Sequence, residues 1–324
     1  MSGWLIVAGL GPGADAMVTP EVSVALAEAT DVVGYIPYVA RVPERPGLTR
    51  HASDNRVERD RALHALEMAE AGARVVVVSS GDPGVFAMAA AIFERVEEDP
   101  TRWHDLDIRV LPGITAMLAA SARAGAPLGH DFCAINLSDN LKPQALIERC
   151  LALAAEADFA IALYNPRSKA RPDALDAAFA LLRETCGDNR PVLFARAVST
   201  PEEVLRIVPL PEAKGEMADM RTVVIIGSSR TRMIPHAGQP ILSTPRTTPG
   251  SSQSSTSATL STCGRGGMKG RSIITTGNPS ARAASSLARA PVPPAFLATI
   301  TSMRCSRNKA SSPAGVKGPR STTR

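Results

Sequence analysis

Short apolar runs alternate with amphipathic stretches from Trp4 to Ile226. The runs predict β-strands at residues 4–8, 31–35, 74–79, 108–111, 134–137, 159–164, 192–195, 204–209 and 222–226. Apolar positions at helical spacing predict helices after Pro20 and over residues 58–71, 86–97, 143–156 and 172–186. This alternation predicts an α/β fold with a mostly parallel sheet in the first half and an α+β sheet layer in the second.

The pattern divides the chain into three segments. Residues 1–115 are predicted to form an N-terminal α/β domain with glycine-rich loops, and residues 116–234 a C-terminal α/β domain. Residues 235–324 are predicted to be an extended, disordered tail rich in Ser, Thr and Arg. From residue 251 onward Ser and Thr supply 24 of 74 residues, and no apolar pattern persists. Such a composition buries too little apolar surface to offset the entropy lost on ordering.

The net charge of +5 comes from this tail. Residues 251–324 contain eleven Lys and Arg and no Asp or Glu, so the first 250 residues hold 25 basic groups against all 31 acidic ones, a net charge of −6. A mildly acidic body without a basic face studded with aromatic residues argues against a nucleic-acid partner. We expect the tail to be dispensable for catalysis. A translation artefact is one origin of such a composition, and a basic arm that gathers anionic partners is the functional alternative.

Cysteine usage and hydropathy favour a cytoplasmic protein. The cysteines are scattered, without a CxxC pair, at positions 133, 150, 186, 263 and 305. That arrangement predicts reduced thiols and no metal site. The opening apolar run Trp4–Gly9 is too short for a membrane span or a signal segment and lacks a basic lead, so we expect no membrane partner.

The most informative loop is Ser79-Ser80-Gly81-Asp82-Pro83-Gly84-Val85-Phe86, which follows an all-valine strand. Ligands of open α/β sheets collect at loops that leave the carboxyl ends of parallel strands. Gly81 and Gly84 let the backbone approach a ligand closely, and Pro83 stiffens the turn. Asp82 is therefore expected as a fixed carboxylate at a cleft mouth. The alternative is a plain turn in which Asp82 only caps the next helix.

A second glycine loop, Gly9-Leu-Gly-Pro-Gly-Ala14, follows the first strand. Its spacing fits the dinucleotide fingerprint, and Asp31 stands about where a ribose-binding acid is expected, so a NAD-dependent oxidoreductase is one interpretation. Pro12 argues against it, because proline removes a backbone donor where a pyrophosphate needs amides. A Walker lysine, a nucleophile elbow and a HExxH helix are absent from the sequence.

Four segments, in order, resemble the landmarks of the tetrapyrrole (corrin/porphyrin) methylases: Gly9-Leu-Gly-Pro-Gly13, Ser80-Gly-Asp-Pro83, Pro112-Gly-Ile-Thr-Ala116 and Leu163-Tyr-Asn-Pro166. The resemblance extends from residue 3 to about residue 249. Four more segments are similar to the subgroup that methylates carbon 17 of precorrin-3B and contracts the ring. They are Arg50-His-Ala-Ser-Asp-Asn-Arg56, Gly129-His-Asp-Phe-Cys133, Leu137-Ser-Asp-Asn-Leu-Lys-Pro143 and Asn165-Pro-Arg-Ser-Lys-Ala-Arg-Pro172. Gln144 is a departure, since Trp is expected there in this subgroup.

The resemblance implies the two-domain tetrapyrrole methylase fold, like a class III methyltransferase, with S-adenosylmethionine in the cleft between the domains and a homodimeric assembly. It implies donor contacts at Pro12, Ser80, Gly81, Asp82, Val85, Phe86, Thr115, Ala116, Tyr164, Asn165 and Ala197. Several have plain structural alternatives, such as turn formation or helix capping. Methyl transfer from a sulfonium requires mainly placement in a dry site, which agrees with motifs of glycine and proline.

The second substrate implied by the resemblance is an anionic, polycarboxylate tetrapyrrole. Arginine binds carboxylates through two parallel hydrogen bonds. The candidates for this role are Arg41, Arg45, Arg50, His51, Arg56, Lys142, Arg167, Lys169 and Arg171. Ring contraction implies that a ring hydroxyl loses its proton, so a general base is expected among His51, Asp54, His130 and Asp139.

The resemblance therefore implies methylation of precorrin-3B at carbon 17 with contraction to precorrin-4, in cobalamin biosynthesis. Three alternatives remain open at this point: the cobalt-containing equivalent as substrate, a NAD-dependent oxidoreductase, and a non-catalytic tetrapyrrole carrier. The absence of a cysteine cluster for an iron–sulfur extension favours the metal-free substrate.

Overall fold

The computed structural model describes residues 3–54, 57–187 and 189–247. The first half contains β1 (Trp4–Gly9), α1 (Pro20–Glu28), β2 (Asp31–Tyr35), α2 (Ile36–Val39), β3 (Thr49–Ser53), α3 (Glu58–Glu70), β4 (Arg74–Ser79), α4 (Met88–Glu98) and β5 (Asp107–Leu111). The second half contains α5 (Ala116–Ala124), β6 (Gly125–Ala126), β7 (Phe132–Asn136), α6 (Gln144–Glu156), β8 (Ala160–Tyr164), α7 (Ala174–Cys186), β9 (Pro191–Arg196), β10 (Val204–Pro209), β11 (Thr222–Ile226), β12 (Arg232–Ile234) and β13 (Ile241–Ser243). All predicted strands and helices are present, with small shifts at their ends.

The first sheet has the strand order β3-β2-β4-β1-β5, and every pair in it is parallel. Helices α3 and α4 cover one face, and α1 and α2 cover the other. The valine strand β4 lies in the centre with both faces buried, which explains its unbroken apolar run. Because all five strands are parallel, the loops that follow them lie along one edge, the carboxyl edge of the first sheet.

The second sheet has the strand order β10-β9-β11-β8-β7 and is mixed. Strands β7 and β8 are parallel, while β11 is antiparallel to both β8 and β9. Strands β7, β8 and β9 therefore run in one direction and end at a common carboxyl edge. Helices α6 and α7 pack on one face, and α5 packs on the other, in agreement with the predicted α+β layer.

The stretch after residue 234 differs from the sequence-based expectation. Strand β13 pairs with β12 and with β6, and Leu242 is buried against α5. The Thr244 hydroxyl donates to the carbonyl of Pro127 at 2.6 Å. The prediction of a disordered tail from residue 235 is thus wrong for residues 241–244, because a three-residue strand is too short to give a periodic signal. Residues 248–324, which include the rest of the predicted tail, lie outside the described part of the chain.

An ion pair between the buried Arg190 guanidinium and the partly exposed Asp158 carboxylate joins the starts of β8 and β9. The Arg190 side chain is 5% exposed, and its Nη2 lies 2.8 Å from the Asp158 Oδ1. The same carboxylate accepts hydrogen bonds from the backbone N–H and the hydroxyl of Ser229, both at 2.7 Å. Removing one partner of a buried pair is costly, since the other charge then lacks compensation.

We expect Asp158→Asn to destabilise the protein by about 2 kcal/mol, because Arg190 would lose its carboxylate. Asparagine suits this position otherwise, since it tolerates the left-handed backbone of Asp158, whose φ is 58°. The matched control is Asp105→Asn, whose carboxylate is 99% exposed and, among the described residues, forms an ion pair with His104 alone. Chemical denaturation should give a change within about 0.5 kcal/mol for the control. Equal effects of the two substitutions would contradict this account.

Candidate active site

Three loops meet at the carboxyl edge of the first sheet. We call residues 9–14, 79–86 and 112–116, which follow β1, β4 and β5, the three-loop platform. The Leu10 N–H donates to the Ser79 carbonyl at 2.8 Å. Gly11 and Gly81 exchange two backbone hydrogen bonds, of 3.2 and 2.9 Å. The first two loops are therefore joined through their backbones.

The approach of these loops requires glycine at two positions. A Cβ on Gly113 would lie 2.1 Å from the Gly81 carbonyl oxygen, and a Cβ on Gly9 would lie 2.6 Å from the same atom. These distances are far below van der Waals contact, and the atoms met belong to the backbone. Glycine is required here so that the loops can pack directly on each other.

Asp82 links the second and third loops. Its Oδ1 accepts the Gly84 N–H at 2.8 Å, and its Oδ2 accepts the Gly113 N–H at 3.0 Å. The alternative role as a helix cap is not found, because α4 has Ala87 at its N-cap without a side-chain hydrogen bond. The carboxylate is instead fixed by two backbone donors, at the sheet edge where the sequence analysis expected it.

The platform faces the carboxyl edge of the second sheet through Tyr164. The Phe86 and Tyr164 rings are in edge contact, with centroids 5.4 Å apart. The Tyr164 hydroxyl lies 2.5 Å from the Thr115 Oγ1 and accepts the Met117 N–H at 3.0 Å. Thr115 therefore contributes its hydroxyl to this junction and does not cap α5 with its side chain.

Burial raises the pKa of the Tyr164 phenol, while the hydrogen bonds with Thr115 and Met117 act in the opposite direction and the nearby Asp82 charge raises it further. The phenol is consequently neutral under physiological conditions. It can hold the junction as a hydrogen-bonding group, whereas an ionised phenolate at this buried position is disfavoured.

Left-handed backbone is concentrated around this junction. Phe86, Asn165, Ala197 and Ser199 have φ values of 53°, 50°, 46° and 65°. Among the described non-glycine residues with positive φ, only Asp158 lies elsewhere. Such conformations cost free energy in residues with a Cβ and are common at ligand sites. The four residues come from loops that follow β4, β8 and β9.

All eleven predicted donor residues lie at these two edges. Eight belong to the platform. Of the other three, Tyr164 ends β8, Asn165 follows β8 and Ala197 follows β9. The two edges also meet at Gly13, where a Cβ would lie 2.5 Å from the Thr200 Cγ2. Sequence reasoning missed Asn136, which ends β7 and whose Oδ1 accepts from the Asn165 Nδ2 at 3.0 Å. The signal in the sequence that could have identified Asn136 was its position near the end of a predicted strand.

The predicted substrate residues of the first domain are engaged with the protein itself. Arg41 donates to the carbonyls of Leu10 and Gly11, at 2.6 and 3.2 Å. Arg45 donates to carbonyls at the end of α1, and Arg50 pairs with Glu44 and donates to a further carbonyl. Arg56 lies outside the described residues.

The predicted substrate residues of the second domain lie in the loops after β7 and β8. Arg171 donates to the Leu137 carbonyl at 3.0 Å, and its Nε lies 3.4 Å from the Asp139 carboxylate. Arg167 donates to the carbonyl of Pro172. Lys142 and Lys169 form no ion pair with any residue that the structure describes. These two lysines are thus available to an anionic ligand at this edge.

The structure separates the four candidates for a general base. The His51 Nε2 lies 2.8 Å from the Asp31 Oδ1 in the middle of β3, and His130 precedes β7, at the end opposite to Tyr164. These two histidines therefore lie away from the carboxyl edges of the sheets, and the identity of a general base stays a prediction. Asp54 and Asp139 do follow strands at the carboxyl edges.

The dinucleotide interpretation fails on the same geometry. Asp31 begins β2, in register with Val75, so it lies at the amino edge of the sheet and contacts His51 and Thr30. A ribose-binding acid would have to lie at the carboxyl edge. The Gly11 N–H, which a pyrophosphate would need, is donated to Gly81.

The described residues offer neither a metal-ligand cluster nor a membrane-spanning helix. In residues 3–54, 57–187 and 189–247, no group of three His, Cys, Asp or Glu side chains could hold a metal ion. No helix of those residues is long and apolar enough to cross a membrane.

A platform of glycine loops that faces the strand ends of a second sheet forms a candidate site in which backbone geometry dominates. The chain belongs to the family of Tetrapyrrole (Corrin/Porphyrin) Methylases, whose model matches residues 5–214.

Several known proteins are similar to this chain. A precorrin-3B C(17)-methyltransferase from Sinorhizobium sp is 54% identical over 254 residues, which cover 78% of this chain and 100% of that protein. A probable cobalt-factor III C(17)-methyltransferase from Salmonella typhimurium is 39% identical, over 70% of this chain and 93% of that protein. The crystal structure of the methyltransferase CobJ is 63% identical, has a TM-score of 0.73, and covers 75% of this chain and 100% of its own.

We expect Tyr164→Phe to destabilise the protein by about 2 kcal/mol, because the Met117 N–H and the Thr115 hydroxyl lose a partner. The control is Tyr35→Phe, whose hydroxyl forms no hydrogen bond within the described part of the chain. Since the folded-state pKa of Tyr164 is raised, its contribution is fully present below the ordinary tyrosine pKa of 10.0 and is lost as pH rises through the folded-state value. Melting curves across this range should show the difference narrowing only in the alkaline limb. A difference that instead grows there would contradict the assignment.

Proposed function

We propose that this protein methylates precorrin-3B at carbon 17 and contracts the macrocycle to precorrin-4 in cobalamin biosynthesis, with S-adenosylmethionine as methyl donor. The observation that carries the proposal is the likeness to the Sinorhizobium enzyme over that enzyme's whole length. The structure supports it because methyl transfer from a sulfonium requires mainly placement of the reactants. The candidate site consists of loops whose backbone is fixed by hydrogen bonds.

The residues present fit such a donor. S-adenosylmethionine supplies an electrophilic methyl group on a positively charged sulfur. The platform offers a fixed carboxylate at Asp82, and Phe86, which is 47% exposed, offers an accessible aromatic ring beside Tyr164. Carboxylates and aromatic faces both attract cations. A uroporphyrin-III C-methyl transferase from Thermus thermophilus, which shares this fold, has been solved in complex with S-adenosyl homocysteine.

The chain's own contribution to the chemistry is placement and exclusion of water. The loop junction fixes the platform against Tyr164, so a donor and an acceptor held between the two edges would lose little further freedom on reaction. The pyrrolic carbon of the acceptor is electron-rich and needs no activation by the protein. For the proton lost during contraction, Asp54 and Asp139 are the candidates at the correct edges; Asp139 lies close to Arg171.

The carboxylates of the macrocycle would be bound by the second-domain loops. Lys142, Arg167 and Lys169 lie in the loops after β7 and β8, on the same edge as Asn165. This placement supports their role, since an acidic body requires a local basic lining for a polyanionic substrate. The protein is further proposed to act in the cytoplasm as a homodimer; sedimentation of the purified full chain tests the dimer.

A cobalt-containing substrate is the second candidate, because the Salmonella relative is named as a probable cobalt-factor III enzyme. Precorrin-3B and cobalt-factor III should therefore be assayed side by side with methyl-labelled S-adenosylmethionine. We expect label in a ring-contracted product from the metal-free substrate. Binding of pigment without transfer of label would contradict the proposal and support a carrier. Transfer to the cobalt substrate alone would replace the substrate assignment.

We expect Asp82→Asn to weaken binding of S-adenosylhomocysteine by about tenfold, because the amide nitrogen would face a backbone N–H where the carboxylate accepted one. Since this change disturbs the platform, a lower melting temperature should accompany it. Calorimetry measures the affinity, and Asp60→Asn, at a side chain 81% exposed, is the control. Undiminished affinity in Asp82→Asn would remove Asp82 from the donor site.

A further inference from the structure

We infer that Arg41 is a positioning residue for the three-loop platform and not a substrate ligand, an inference that rests on the proposed function. Arg41 follows α2, in the connection between β2 and β3. Its two terminal nitrogens donate to the carbonyls of Leu10 and Gly11, at 2.6 and 3.2 Å. The planar guanidinium fork thus grips two consecutive peptide groups of the first platform loop, a geometry that lysine cannot reproduce.

These bonds are the first link of a continuous series. Gly11, whose carbonyl Arg41 holds, exchanges both backbone hydrogen bonds with Gly81. Asp82, the next residue, accepts the Gly113 N–H of the third loop. Arg41 and Asp82 are therefore two side-chain clamps at opposite ends of one backbone network. Arg41 fixes the first loop, and Asp82 joins the second loop to the third.

The conformation of Gly11 gives Arg41 a specific task. Gly11 has a φ of 67°, and glycine populates that region without a strong preference over others. The two bonds with Gly81 orient the peptide groups on both sides of Gly11. Two charge-assisted hydrogen bonds from Arg41 to the carbonyls of these same groups reinforce that orientation, and Pro12 follows immediately. The donor-binding face of this loop therefore depends on Arg41.

The charge of Arg41 is not used in an ion pair. Burial lowers the pKa of its guanidinium, with Asp15 and Tyr38 acting in the opposite direction. None of the described carboxylates lies within ion-pair distance of it. Arginine stays protonated under these conditions, so its carbonyl bonds keep their charge-assisted strength. Its donors point at the protein backbone, which leaves little of the fork for a substrate carboxylate.

The chain contains a matched control for this role. Arg45, four residues further on, also donates to backbone carbonyls, those of Leu26 and Ala29. These belong to the end of α1 and not to the platform. Substituting Arg45 removes bonds of the same kind from the same segment of chain, without touching the loops that are proposed to hold the methyl donor.

The test compares Arg41→Met, Arg41→Lys and Arg45→Met in the full chain. Calorimetry gives the Kd of S-adenosylhomocysteine, and steady-state assays give KM for precorrin-3B. We expect Arg41→Met to raise the Kd about tenfold and to leave the KM of the tetrapyrrole within about twofold. Arg41→Lys should raise the Kd about threefold, since one carbonyl keeps a charged donor. Arg45→Met should lower the melting temperature without changing the Kd.

Two results would overturn the inference. One is an unchanged Kd in a folded Arg41→Met protein, or in Arg41→Lys if the methionine variant fails to fold. The other is a raised KM for the tetrapyrrole with an unchanged donor Kd, which is the signature of a substrate ligand. Wild-type protein that does not bind S-adenosylhomocysteine would instead contradict the proposed function, and the inference with it.

Discussion

Direct backbone contact among three glycine loops is the constraint on which the site depends. The Gly81 carbonyl lies so close to Gly9 and Gly113 that no side chain fits between them. Three separate segments of the chain can therefore form one surface, and their order in the sheet, with β1 between β4 and β5, brings them together. Asp82 and Arg41 then fix this surface from two sides with hydrogen bonds to its peptide groups.

The second sheet completes the candidate site because its strands β7, β8 and β9 end at one edge. Tyr164 ends β8 and joins its hydroxyl to Thr115 and Met117 at the start of α5. The loops that follow β8 and β9 adopt left-handed backbone at Asn165 and Ala197. These conformations cost free energy locally, and they shape the loops at the edge that faces the platform. Rigid placement is the main requirement of methyl transfer to an electron-rich carbon.

Much of the fold and of the candidate site could be predicted from the sequence, because the signals lie within short segments of the chain. The unbroken valine run of β4 identified a buried parallel strand, and the glycine loops were expected at the carboxyl edge of its sheet, where they lie. The bond of Asp82 to Gly84 is local, but its bond to Gly113 spans 31 residues, and long-range pairing of this kind leaves no periodic signal. The same limit applies to Arg41, whose partners are about thirty residues earlier. The interpretation of Asp31 as a ribose-binding acid failed because sequence spacing does not give the position of a residue along its strand.

The most direct test of the site is the structure of this protein crystallised with S-adenosylhomocysteine. The account predicts the ligand between the three-loop platform and the edge formed by Tyr164, Asn165 and Ala197, with Phe86 and Asp82 among its neighbours. Gly11 should keep its bonds to Arg41 and Gly81 in that complex. A ligand bound elsewhere on the chain, or one that separates the loops of the platform, would contradict the account.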